Sequence, residues 1–362
     1  MTARSILICM HDFSRGGTER IAIGLAANWA DAGREVTILC GNEQGGLRDM
    51  VDPRVKVVAV APPIARSLLS RWRLGRAMGR LLEKLKPDVI YLPGNFHLFL
   101  APALRHADPR ALIVLKISNP PLPQGQSHAI GRWLFRRWAR AVDGFAALTA
   151  GFAREVAELA PGKPVRLLHD PVYLHASSAR RIAPSDVSRI LWAGRLEPQK
   201  DFALALLTIA ALARPAHLTM LGDGSLRQQA DAMIARLGLS DRVTLAGHVA
   251  NIDPYLADTD VLLLTSLYEG QPAVVGEALA NGVPVVSTNC STALYEMMEI
   301  PEAGKIVGTR DPADLAAALA AVCDAPRPSR DVLARLVAPF EPRHCAKAYL
   351  DWFDALGKNR HG

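Results

Sequence analysis

The sequence has no uninterrupted apolar run near the roughly 18 residues that a membrane-crossing helix needs. Its opening, MTARSILICMHDF, carries only the short apolar stretch 6–10 before charge returns, too little for the core of a secretory signal. Cysteine is scarce: Cys9, Cys40, Cys290, Cys323 and Cys345 are scattered, with no C-x-x-C pair. That pattern argues against a disulfide framework or structural zinc and fits free thiols in a reducing compartment, so a cytoplasmic protein is expected. No H-E-x-x-H or similar histidine spacing occurs, and no essential metal or other cofactor is expected. The dinucleotide fingerprint G-x-G-x-x-G is also missing, which argues against a nicotinamide enzyme.

What is present suffices for a sizeable core. Of 362 residues, 50% are hydrophobic and 21% charged, which excludes gross disorder and suggests about two domains. The net charge of +7 is unevenly placed. Residues 1–170 hold 24 Lys+Arg against 14 Asp+Glu, whereas the remainder holds 18 against 21. No recognition helix, aromatic RNA-binding signature or finger spacing accompanies this charge, so no nucleic acid is expected as partner. Anionic substrates and an anionic membrane surface explain a basic half equally well.

Strand and helix alternate along the chain, twice over. Residues 5–10 read as a strand, followed by the turn HDFSRGG and an amphipathic stretch, 18–32, with Ala22, Leu25, Ala26 and Trp29 on its buried face. Further strands are read at 35–40, 87–92 and 111–117, and, past a loose segment at 171–187, at 189–193, 216–221, 242–246, 261–265 and 283–287. Such alternation predicts an α/β chain of two Rossmann-like domains, each a doubly wound parallel sheet, facing a ligand cleft. The expected divisions are a first domain at 1–172, a second at 187–340, and a terminal amphipathic helix at 341–362 carrying Tyr349, Trp352 and Phe353.

Three motifs carry chemistry. Gly16-Gly17 lies ahead of a helix start, with Thr18 as its cap; glycines there let amides approach a phosphate, although a tight turn needs them equally. Gly194-Arg195-Leu196-Glu197-Pro198-Gln199-Lys200-Asp201 runs from a strand end into a helix and presents two cations where an anion would sit. The bland reading is a solvated helix start. In Tyr268-Glu269-Gly270-Gln271-Pro272-Ala273-Val274-Val275-Gly276-Glu277, Pro272 suits the first turn of a helix and Asn281-Gly282 its end. The amides of Gly270, Gln271, Ala273 and Val274 would then surround a helix N-terminus suited to an anion. Carboxylates at Glu269 and Glu277, beside such a site, suit hydrogen bonds from sugar or ribose hydroxyls.

With these residues the chain resembles the family 4 retaining glycosyltransferases of the GT-B fold. GGTERIAIGLA, GRLEPQKD, LGDGSLRQQ, VTLAGHV and the E-x7-E block LYEGQPAVVGEALANGVPVVST carry the resemblance over nearly the whole length. It implies a retaining transferase moving a hexose-type sugar from a nucleotide diphosphate, UDP favoured over GDP, to a hydroxyl of a glycan or lipid-linked acceptor, in bacterial surface-polysaccharide assembly. In this reading Arg195 and Lys200 hold the donor diphosphate, and Glu269 contacts the donor sugar. Glu277 binds the ribose, and the amides of Gly270, Gln271, Ala273 and Val274 hold sugar and phosphates. Gly194 belongs to the same loop, His248 and Val249 follow Gly247 in the segment that cradles the base, and Gly16 and Gly17 close over the donor from the first domain. The resemblance also implies that the terminal helix crosses back to the first domain. The rivals are a nucleotide-sugar epimerase and a non-catalytic donor-binding subunit.

The chain departs from the family at two positions. Ser118 stands where many relatives carry a histidine, with His97 the nearest alternative, and Asp170 stands where asparagine is usual. Asp258-Thr259-Asp260 spells D-x-D, but at a helix-to-strand junction where capping is the expected role. Two basic stretches, 66–86 and 130–142, lie in the first domain. In the second, Trp133, Leu134 and Trp138 are set against Arg132, Arg136 and Arg140 on a helical wheel. An ordinary solvated face explains either stretch alone; together they point to peripheral contact with the cytoplasmic face of a membrane.

Overall fold

A computed structural model of the chain describes residues 2–14, 16–67, 70–122, 128–173 and 186–361. They form two compact units: Met1–Pro171 with Pro342–Gly362, and Val172–Glu341. Of the loose segment read at 171–187, residues 174–185 lie outside the described residues, as do 68 and 69 of the first basic stretch.

The first unit runs β1 (Ser5–Met10), α1 (Gly17–Asp31), β2 (Glu35–Cys40), β3 (Lys56–Ala59), α2 (Ser70–Leu85), β4 (Val89–Leu92), α3 (Ala101–Ala107), β5 (Leu112–Ile117), α4 (His128–Ala139), β6 (Gly144–Ala147), α5 (Ala150–Leu159) and β7 (Val165–Leu167). Its sheet has the order β3-β2-β1-β4-β5-β6-β7, every pair parallel. Because strands covered on both faces need apolar side chains on both, the central strands read as continuous apolar runs and are buried throughout. The strands β3, β6 and β7 were not read: β3 and β7 are only partly buried, and β6 is the small-residue run GFAA.

The second unit runs β8 (Ser188–Ala193), α6 (Phe202–Ala211), β9 (Ala216–Leu221), α7 (Arg227–Arg236), β10 (Val243–Gly247), α8 (Asp253–Leu256), β11 (Val261–Leu264), α9 (Ala273–Ala280), β12 (Val285–Thr288), α10 (Ala293–Met297), β13 (Gly304–Val307), α11 (Pro312–Asp324) and α12 (Arg330–Val337). Its sheet, β10-β9-β8-β11-β12-β13, is again wholly parallel, with the order reversing beside β8. The last helix, α13 (Pro342–His361), belongs to the first unit.

Packing explains that return. Trp29 of α1, fully buried, meets Tyr91, Tyr349 and Phe353 edge-on at ring separations of 5.3, 6.0 and 5.5 Å, and its indole N–H donates to the Ala346 carbonyl at 3.1 Å. Asp354 accepts from the Ala3 amide at 2.7 Å and pairs with Arg34. On β6 a Cβ at Gly144 would stand 2.9–3.0 Å from Leu356 and Trp352, so only glycine lets α13 lie this close. Each buried ring of α13 is worth about 1.5–3 kcal/mol.

One strand position breaks the apolar rule. Lys116 in β5 has no solvent exposure, and its ammonium donates to both carboxylate oxygens of Asp170 at 2.8 and 2.9 Å. An uncompensated charge there would be costly, so the acid at 170, where asparagine was expected, matches the lysine inside LIVLKI. Replacing one partner alone is expected to cost about 3–5 kcal/mol. Guanidinium unfolding at pH 7 should therefore show Asp170→Ala strongly destabilised, and Lys116→Met/Asp170→Ala recovering most of the loss.

Candidate functional site

In the second unit the loops leaving β8, β9 and β11 lie together at the carboxyl edge of the sheet, and their glycines show why. Gly222 has φ +128°, and a Cβ on it would fall 1.9 Å from the Gly194 carbonyl oxygen. A Cβ on Gly224 would fall 2.4 Å from the Leu196 carbonyl oxygen. Backbone therefore rests on backbone, joined by Gly194 N–H to the Leu221 carbonyl, Leu196 N–H to Asp223 and Leu226 N–H to Leu196 at 2.9–3.0 Å. The Gly222 amide reaches the Gly247 carbonyl at 2.7 Å across the bulge in β10. The Ser225 amide and hydroxyl hold Glu197 and lower its pKa, with the charge of Arg195 adding to the effect.

This scaffold presents the cations differently from one another. Arg195 is exposed and among the described residues makes no side-chain hydrogen bond. Lys200 lays its stem over Gly194, where a Cβ would stand 3.2 Å from its Cγ and Cδ, and its ammonium meets Glu269 Oε1 at 2.5 Å. Of the two cations, one reaches solvent and the other is tied to the first glutamate of the E-x7-E block. Glu269, 9% exposed, also accepts from the Ser266 hydroxyl at 2.7 Å, and its own amide donates to Cys290.

Behind Glu269 the chain enters α9. Pro272 is the residue before the first helical position, not inside the first turn as the sequence suggested, and Ala273 opens the helix. The amides of Gly270, Ala273 and Val274 have no acceptor among the described residues, so partial positive charge faces the space beside the Lys200–Glu269 pair. Gly270 is fixed by its carbonyl, which accepts from the Ser291 hydroxyl. Gln271 and Glu277 are half-buried, Glu277 in the second turn of α9, so it is less enclosed than its apolar neighbours implied. Beyond Gly247, which has φ +75°, His248 is exposed and Val249 packs against the core around Val172 and Leu191.

The D-x-D carboxylates are engaged elsewhere. Asp258 pairs with Arg189 at 3.0 Å, and Asp260 binds the Arg189 amide and the Arg327 guanidinium.

In the first unit Gly16 precedes α1 and Gly17 opens it, so Thr18 lies inside the helix and does not cap it. Gly17 has open space around it. At Gly16 a Cβ would stand 2.2 Å from a Glu19 carboxylate oxygen. Arg66 binds Glu19 at 2.9 Å and Asp12 at 2.6 and 2.8 Å. Burial pushes the Asp12 carboxyl up, but Arg66 and Ser14 outweigh it and hold the pKa at about 2. The start of α1 thus already carries an internal carboxylate, a feature the reading of GGTER as an anion site missed.

His97 is 1% exposed, and neither ring nitrogen has a hydrogen-bond partner among the described residues. Burial above all, with the charge of Arg66, lowers its pKa to about 3, so the ring is neutral at pH 7. The Ser118 hydroxyl is also buried with no partner among the described residues, 3.5 Å from where a Gly94 Cβ would stand.

Comparison with known proteins shows the class of protein. The family described as "Glycosyl transferase 4-like domain" matches residues 16–170, and "Glycosyl transferases group 1" matches residues 187–325. The chain is a glycosyltransferase of the GT-B fold. It is similar to two lipopolysaccharide core biosynthesis glycosyltransferases of Rhizobium meliloti. LpsE is 27% identical over 75% of this chain and 76% of its own length; LpsD is 24% identical over 95% and 97%. Among solved structures, Anabaena HepE in complex with UDP and glucose superposes with a TM-score of 0.73 at 18% identity, covering 99% of this chain and 98% of that one.

The scaffold generates a stability prediction. Gly222→Ala should cost about 2–4 kcal/mol, since the residue is held at positive φ against backbone. Gly17→Ala, with free space and an ordinary φ, should change stability by less than about 1 kcal/mol. Urea unfolding followed by tryptophan fluorescence would separate the two.

Proposed function

We propose that the chain is a family 4 retaining glycosyltransferase that moves a hexose from a UDP-sugar to a hydroxyl of a bacterial surface glycan or glycolipid. The observation that carries this reading is the carboxyl edge of the second unit. There exposed Arg195, the Lys200–Glu269 pair and the acceptor-free amides at the start of α9 converge on one polar site. The second unit takes the donor and the first the acceptor. Similarity to LpsE and LpsD supports a surface-glycan product, and the shared fold with a protein solved with UDP and glucose supports the donor class.

In the reaction the bond from the sugar's anomeric carbon to the diphosphate oxygen breaks as the acceptor oxygen attacks from the same face. The acceptor's proton passes to the leaving phosphate. Negative charge grows on the diphosphate, and Arg195, Lys200 and the α9 amides lie where they stabilise it. Glu269 orients sugar hydroxyls and, through its bond to Lys200, fixes the ammonium. Glu277 accepts from the ribose, the amide of Gln271 joins those of α9, and His248 and Val249 line the base. The diphosphate's charge is met by these cations, with no essential metal.

The acceptor unit also meets a membrane surface. The helices α2 and α4 expose Trp72 by 80%, Ile130 by 61% and Trp133 by 61%, beside Arg71, Arg73, Arg76, Arg136 and Arg137. Trp133 is exposed, whereas Phe135 and Ala139 are buried and Trp138 packs against the same core. No helix among the described residues is long and apolar enough to cross a membrane. Amphipathic contact with anionic headgroups of the cytoplasmic leaflet fits such a surface.

Two measurements test these readings. Thermal unfolding with UDP, GDP, ADP or NAD should show stabilisation by UDP of about 2.7 kcal/mol at a hundred times its dissociation constant, lost in Arg195→Ala and Glu277→Ala. A response to NAD alone would overturn the transferase site. Co-sedimentation with vesicles containing phosphatidylglycerol should retain the protein at low salt. Trp72→Ala/Trp133→Ala should weaken that retention about tenfold; equal binding by the variant would remove the membrane surface.

A further inference from the structure

We propose that Arg310, in the loop between β13 and α11, is a positioning residue that sets the placement of Lys200 against Glu269. The inference rests on the donor site proposed above and adds a residue to it. Its guanidinium donates to the Ser266 carbonyl at 3.0 Å, to the Thr265 carbonyl at 2.8 Å and to the Asp201 carboxylate at 2.5 Å. These partners sit on two separate loops. Asp201 directly follows Lys200, while Thr265 and Ser266 lead the chain from β11 towards Glu269.

The turn carrying Lys200 needs such support. Asp201 is a non-glycine residue at φ 45° and ψ 61°, a conformation that persists only where its surroundings over-determine it. One of its carboxylate oxygens caps α6 through the Leu204 amide at 3.2 Å, and the other is held by Arg310. The Thr265 hydroxyl donates to the carbonyls of Lys200 and Asp201, while itself accepting from the Trp192 indole at 3.0 Å. Ser266, whose carbonyl Arg310 binds, places its hydroxyl on the same Glu269 oxygen that Lys200 meets. Arg310 thus bonds both loops whose tips form the ion pair.

An arginine suits this task because its planar fork supplies several fixed donors to acceptors in different directions. A lysine offers a single ammonium that reaches the carboxylate or a carbonyl without spanning the set. Misplacing a charge-stabilising group by about 1 Å can slow a reaction on the order of a hundredfold. Since Arg310 bonds Asp201 and the carbonyls of Thr265 and Ser266, its loss should act on the rate of bond breaking more than on donor affinity.

The experiment compares wild type, Arg310→Lys, Arg310→Ala and Lys200→Ala, each checked by thermal melting. UDP affinity is measured by calorimetry. UDP release is followed with UDP-glucose, UDP-galactose and UDP-N-acetylglucosamine, water serving as acceptor. For the sugar that wild type turns over, Arg310→Ala should lower kcat about ten- to a hundredfold with KM within about threefold, and Arg310→Lys should fall between. The crystal structure of Arg310→Ala should show Lys200 and Glu269 separated. Unchanged kcat in a folded Arg310→Ala variant while Lys200→Ala is impaired would overturn the role of Arg310 and leave the donor site standing. If wild type neither binds UDP nor releases it, the proposed function fails. The variant's crystal structure then decides for Arg310: a retained contact overturns the inference, and a broken one supports it.

Discussion

Parallel pairing is the constraint on which this molecule depends. In each unit every described strand runs the same way, so every strand's carboxyl end opens onto the same edge of its sheet. Loops that are distant in sequence are thereby gathered: those leaving β8, β9, β11 and β13 all contribute to the Lys200–Glu269 region. Parallel strands also require long crossover connections, in this chain mostly helices, and the crossovers fix where each loop begins and ends. The site proposed for the chemistry lies where irregular backbone is gathered and still anchored.

Two lysine–carboxylate pairs in the chain show how setting changes meaning. Lys116–Asp170 is sealed within the first unit, with the lysine wholly out of water. Its two bonds leave the ammonium no freedom, and it serves to neutralise a charge that the strand has buried. Lys200–Glu269 is made at a loop edge with the lysine side chain 19% exposed, next to helix amides that lack acceptors. In the function proposed above, that pairing is exchangeable: an incoming anion would compete for the ammonium, and incoming hydroxyls for the carboxylate. Burial, not residue identity, separates a structural pair from a site.

The alternation of apolar strands with amphipathic helices was legible because β1, β5 and β11 are almost wholly buried and read as apolar runs, and β2 and β9 are mostly buried. β3, β7 and β13 were not, since their positions are mostly half-buried or exposed, and β6 is a short run of small residues, GFAA. Among the site residues, the loop of Arg195 and Lys200 and the start of α9 could be placed, because proline, glycine and cap positions mark turns. The tie of Lys200 to Glu269 could not, since it joins residues 69 apart. Arg310 was missed for the same reason: GTRDP reads as a helix start, and nothing local signals three acceptors supplied by other loops. Lys116 did leave a signal, a lysine within a strand otherwise apolar, which pointed to a buried counter-charge that Asp170 supplies.

The return of α13 to the first unit has a consequence for the order in which the molecule is made. Val172–Glu341 is one continuous piece of chain, complete as soon as residue 341 has emerged from the ribosome. The first unit begins earlier and finishes later, because Trp29 bonds to Ala346, 317 residues downstream. Nascent β1 to β7 therefore wait, with the faces around Trp29 and Gly144 uncovered, until the last helix is synthesised. The second unit is thus an insertion within an unfinished host, and α13, once made, closes the first core.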